Sequence, residues 1–256
     1  MSALLIALTI FVTTTGAALV GLILHVKLPD DHLDGDSRDV VKLVIGLVAT
    51  MAALVLGLLI ASAQSTYATQ NGNVQQLAAD VAQLDRILEL YGPEANGTRT
   101  LLRQAVVAAH DTIWTERGVQ SQSLDPGDIR SQANRYIFSL ESLAPRTEVQ
   151  HFAREQALQL SQSIGRVRAL MFQQAGNGVA WPFLVALMFW LGVLFMGFGL
   201  VARFHTTVAA ALLVGSLSVS AAVYLILELG SPYNGLIQLS DAPLRTVVAQ
   251  LVQAGR

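Results

Sequence analysis

The chain has 256 residues, of which 53% are hydrophobic and 13% charged, and its formal net charge is −2. An ordinary soluble domain carries about 25% charged residues, and a nucleic-acid partner would need a basic patch that this balance does not supply. Cysteine is absent, which excludes disulfides and thiolate metal sites.

The apolar residues gather into four blocks. The first, residues 3–26, holds no ionisable side chain before His25. A helix of about 24 residues rises about 36 Å, enough for a hydrocarbon core of about 30 Å with some tilt. No Lys or Arg precedes the run and no small-residue cleavage site follows it, so it reads as a retained helix and not as a signal peptide. The acidic loop Asp30-Asp31-His32-Leu33-Asp34-Gly35-Asp36 lacks the alternating spacing and distant Glu of a calcium loop. It reads as a solvated turn, and no metal is expected. Residues 43–63 form the second uncharged run.

From Thr66 to Asn177 the chain is polar. Val74, Leu77, Val81, Leu84 and Leu88 recur at spacings of three and four, the apolar stripe of a helix that packs on others. Tyr91-Gly92-Pro93-Glu94 ends that helix. Further helices are expected over 98–116, 129–143 and 147–173, separated by Asp125-Pro126-Gly127 and Ala144-Pro145. No Val/Ile-rich alternating segment suggests a sheet.

The third run, 179–202, has Pro182 near its start, where a missing N–H costs least. The fourth, 204–227, follows after little more than Arg203, so the last two helices form an antiparallel pair. A short amphipathic tail remains, either on the membrane surface or against the central helices. The expected organisation is thus all-α: an integral membrane protein with four transmembrane helices in two hairpins (1–65 and 178–228). A helical extramembrane region (66–177) lies between them, and the tail covers 229–256.

An even number of spans puts both termini and the central region on one side of the membrane. Arg166, Arg168 and Arg245 flank the spans there, against Lys27, Arg38, Lys42 and Arg203 opposite, a count too even to orient the chain.

The second span carries the most pattern. Gly46, Thr50, Ala53, Gly57 and Ala61 share one helical face, where small side chains let another helix approach closely. Bulkier Val48, Met51, Val55 and Leu59 fall opposite. Around an oligomer axis one face would meet neighbours and the other line the axis; within a single subunit the small face would serve helix packing. No charge lies inside a span, which argues against a proton relay. Arg38, Asp39, Lys42, Arg203 and Glu228 stand at the edges as anchors. No hydrolase, zinc-protease, nucleotide-binding or dinucleotide-binding signature occurs, and His25, His32, His110, His151 and His205 are scattered. Neither an enzyme nor a cofactor is expected.

Two stretches carry a resemblance. One is Ser37-Arg38-Asp39-Val40-Val41-Lys42 running into the second span through Ala63. The other is Leu225-Ile226-Leu227-Glu228 with Ser231-Pro232-Tyr233-Asn234-Gly235 and Ser240-Asp241-Ala242-Pro243-Leu244-Arg245. Together with Tyr91-Gly92-Pro93-Glu94 they resemble the bestrophin-like family of bacterial membrane proteins. The resemblance implies a homo-oligomer, a pentamer by analogy, in the bacterial inner membrane, with the central region and both termini cytoplasmic. It implies a channel for small inorganic ions, anions above all, whose second helix lines the pore with an apolar neck.

Glu228, Ser231 to Gly235, Asp241 and Pro243 are similar to the Pro-Phe-Gly and Asp-Leu-Pro-Leu elements after the last bestrophin helix. The phenylalanine-rich neck has no counterpart, and Val48, Met51, Val55 and Leu59 stand as its apolar candidates. The acidic calcium clasp of animal members is also missing. The expected partners are membrane lipid, further copies of the chain and small ions, and no nucleic acid. The other reading is a non-conducting scaffold or sensor whose helical region recruits a partner.

Overall fold

The structure is a computed structural model, and it describes residues 3–27, 35–114, 126–175, 181–202, 205–230 and 239–253. Among the described residues regular structure is helical throughout: α1 (Ala3–Lys27), α2 (Gly35–Tyr91), a 3₁₀ turn (Pro93–Ala95), α3 (Asn96–Trp114), α4 (Pro126–Glu141), α5 (Glu148–Ala175), α6 (Trp181–Val201), α7 (Thr206–Leu229) and α8 (Ala242–Gln253). The chain divides into two compact units, Met1–Tyr67 with Asn177–Ser231, and Ala68–Gly176 with Pro232–Arg256. Each is taken by itself.

The first unit holds the four helices long and apolar enough to cross a membrane: α1, the first part of α2, α6 and α7. Their outward leucines, valines and phenylalanines, such as Leu4, Leu54, Phe189 and Leu217, are exposed. Such surface suits lipid, where tails are as apolar as the side chains they touch. The interior is built from Ile10, Ile45, Ala52, Leu59, Ala63, Leu184, Leu187, Leu191, Leu194, Val223 and Ile226.

Although chain order pairs α1 with α2, α1 packs closely against both α6 and α7. Glycines permit this. A Cβ on Gly21 would overlap the backbone carbonyl of Met196, and one on Gly199 would overlap that of Ala18. Gly197 leaves room in the same way for the Ile45 side chain. Polar groups add direction: Ser220 Oγ donates to the Ala7 carbonyl, and His25 Nδ1 lies 2.8 Å from the Leu200 carbonyl oxygen. In a medium without water, such bonds satisfy backbone and side-chain groups that lipid cannot.

The second unit is a helical bundle. Val74, Leu77, Val81, Leu84 and Leu88 are all buried, so the stripe of the sequence is the inner face of α2. The helix stops at Tyr91 because Gly92 takes φ 114°, a left-handed value that side-chain-bearing residues rarely adopt, and Pro93 cannot continue it. Gln150 Nε2 donates to the Tyr91 carbonyl, one of the acceptors left open at a helix end. Thr147 Oγ1 caps α5 by accepting from the Gln150 N–H. The tail helix α8 packs on α3 and buries Leu244, Val247 and Leu251, one stripe at helical spacing. Of its two expected positions, the structure selects packing within the bundle.

Candidate functional site

The apolar stretch of α2 is the least buried of the four spans. Only 11% of its most apolar window is buried, against 22% for α1, 39% for α6 and 28% for α7. The division runs along the helix. Ile45, Ala52, Leu59 and Ala63 lie in the core, with Val48 and Val55 packed against it. At 3.6 residues per turn these positions share one side. The opposite side is open: Leu47 (62% exposed), Leu54 (72%) and Leu58 (59%) project from it. Thr50 is exposed too and bonds back to the Leu47 carbonyl, so its hydroxyl asks nothing of its surroundings.

Leu59 is buried, and Val48 and Val55 are half-buried against the same core. Met51, at the border, is exposed. Gly46, Thr50, Ala53, Gly57 and Ala61 are also exposed, and a Cβ on Gly46 or Gly57 would meet nothing within 4 Å. The small residues therefore serve no close packing inside the described protomer.

The remaining predicted residues are scattered. Glu228 is buried at the end of α7 and hydrogen-bonded by Tyr224. Ser231, Pro232, Tyr233, Asn234 and Gly235 lie outside the described residues, as do the acidic loop from Asp30 to Asp34 and Arg203. Asp39 and Lys42 pair at 2.8 Å on an exposed helical turn. Asp241 stands 3.5 Å from His110 Nε2, and Pro243 is half-buried at the start of α8. Among the described residues no group of three His, Asp or Glu side chains is arranged to hold a metal ion.

Two features of the bundle were not singled out from the sequence. Asp85 accepts a bidentate pair from Arg99, at 2.9 Å from Nε and 2.7 Å from Nη2, in a buried setting between α2 and α3. The hydrogen bond to Asp85 outweighs burial and holds the Arg99 pKa above its ordinary value. Trp114 Nε1 donates to the Leu239 carbonyl, and its ring stacks on His110, fastening the approach to α8 onto α3. Neither contact leaves a local sequence signal, since the partners are 14 and 125 positions apart.

Comparison with known proteins agrees with this architecture. Crystal structures of single-substitution variants of a bacterial bestrophin homologue from Klebsiella pneumoniae are similar in fold. One superposes with a TM-score of 0.69 at 14% identity, covering 100% of this chain and 98% of the other. A second gives 0.66 at 13%, covering 97% and 98%. No curated protein matches the sequence. The model of the bestrophin-like domain matches residues 12–244, nearly the whole chain, and the protein belongs to the bestrophin-like family.

Proposed function

We propose that the protein is a homo-oligomeric ion channel of the bacterial inner membrane, passing small anions, with α2 lining the pore. The single observation that carries this reading is the open apolar face of α2, the span that its own protomer covers least. A helix with one face in the protomer core and the other uncovered is suited to meet further copies of itself. In this arrangement Leu54 faces the axis, with Thr50 one turn before it, Leu58 one turn after, and Leu47 and Met51 beside them. Gly46, Ala53 and Gly57 on the flank let the neighbouring copy approach closely. A ring of leucines forms an apolar constriction that conducts only when wetted, so a shift of α2 by a fraction of its width would gate it.

Anion preference, five subunits and a cytoplasmic central region follow by analogy with bestrophins, and the absence of charge from the leucine strip leaves the preference to groups at the pore ends. The test is ion flux from chloride-loaded liposomes. Wild-type protein should conduct, and Leu54→Ala and Leu58→Ala should raise the flux by widening the constriction. Val55→Ala, on the core side, should leave selectivity and flux unchanged. A well-formed oligomer that stays silent in every variant would overturn the channel and favour the scaffold.

A further inference from the structure

Within the second unit, helices α2, α3, α4, α5 and α8 border a partly open cavity of about 160 Å³. A space of about 150 Å³ is large enough to take up benzene. The walls here are largely aliphatic, with Leu77, Val81, Leu102, Val106, Ile137 and Ile164 among them. One side chain departs from that pattern. Arg168 lines the same cavity, and its Nε is shielded from solvent with no hydrogen-bond partner. Among the described residues no carboxylate forms an ion pair with it. The residue as a whole is half-buried, and this burial alone holds its pKa below the ordinary arginine value, as expected of a cation that has lost part of its water.

The other polar groups in the wall are already committed. Ser161 Oγ donates its one proton to the Ala157 carbonyl at 2.7 Å, so the Tyr136 hydroxyl must be the donor in its 2.8 Å bond to Ser161. Burial pushes the Tyr136 phenol up to about 12, so it adds no negative charge near neutral pH. Arg168 is left as the one cationic donor facing an aliphatic space.

A cation in such surroundings is costly unless an anion pairs with it, and the guanidinium fork matches a carboxylate with two parallel bonds. We propose that this cavity binds a small monocarboxylate with an apolar body, of about the size of benzoate, with its carboxylate on Arg168 and its body against the aliphatic wall. The site lies wholly within the second unit and does not depend on ion conduction.

The experiment uses the full chain in lipid nanodiscs and follows 4-fluorobenzoate by fluorine NMR line broadening, with empty nanodiscs subtracted. Saturable binding is expected, with neutral fluorobenzene and cationic 4-fluorobenzylamine weaker by about tenfold or more, the size of one lost charge-assisted hydrogen bond. Arg168→Gln should weaken fluorobenzoate by about tenfold and leave fluorobenzene unchanged. Arg168→Lys should recover part of the loss. Ala109→Leu, which fills the cavity from α3, should abolish both ligands while helix content is retained. The assignment is overturned if wild type shows no saturable broadening, or if fluorobenzoate binds a folded Arg168→Gln or Ala109→Leu protein as tightly as wild type. Should Arg168→Gln fail to fold, the Ala109→Leu result decides.

Discussion

Individual side chains separate the glycines that matter for folding from those that face outward. Gly21 and Gly199 sit where helix backbones touch, so Gly21→Val forces α1 away from α6; overpacking of this kind costs about 1–3 kcal/mol and sometimes more. Gly57→Val meets open space in the protomer and should leave its thermal stability nearly unchanged, while disturbing assembly if α2 faces its own copies. Thermal melts of the two variants in one detergent compare them directly, and equal losses would contradict the geometry. At Asp85 the expected effect is larger. Asp85→Asn leaves Arg99 charged and buried without its bidentate partner, a change that typically costs about 3–5 kcal/mol. Denaturant unfolding of the purified protein measures it. Tyr136 gives a pH dependence. Its folded pKa of about 12 exceeds the unfolded value, so the folded chain holds the phenolic proton more tightly. The resulting stability is complete below pH about 10 and is lost as pH rises toward about 12, amounting to at most about 3 kcal/mol. Stability of wild type should therefore fall more steeply over that window than that of Tyr136→Phe, and parallel curves would show the phenol titrating freely.

Among the helices, what could be read from the chain depended on contrast between faces. In the bundle the stripe from Val74 to Leu88 alternates with Gln, Asp and Arg, so burial follows directly from periodicity. Gly92 and Pro93 marked the end of α2 for the same local reason. Inside the membrane-spanning part of α2 that contrast disappears. Leucine, valine and alanine surround the helix, and hydropathy cannot tell a face turned to the core from one turned to lipid or to another subunit. Residue size separates two sides of the helix, but size alone does not say which side the protomer covers. In the sequence Arg168 counts, with Arg166, only as a positive charge flanking a span, and only the tertiary structure places an aliphatic cavity beside it. The tail is a case where both readings were open until packing was known. Leu244→Ala removes a fully buried side chain from α8, at a typical cost of about 2–5 kcal/mol. Limited proteolysis should then cut the tail faster than in wild type, and an unchanged cleavage rate would mean that α8 is not held by that contact.

For the whole molecule, lipid is the solvent of the first unit, and membranes washed at alkaline pH should retain the protein. In mild detergent the proposed channel requires a mass several times that of the 27.4 kDa chain, whereas a stable monomer would remove any pore on a subunit axis. The close seating of α1 on α6 and α7 bears on how the molecule comes to exist at all. Those partners begin at Trp181, about 150 residues after α1 ends at Lys27. At about 5–20 residues per second, the ribosome needs on the order of ten to thirty seconds to deliver them. For that interval the first helix of the nascent chain is held without its final neighbours, its Gly21 face open to whatever is nearby. A translation product halted ahead of Trp181 should accordingly cross-link through α1 to the insertion machinery, and the completed polypeptide should not.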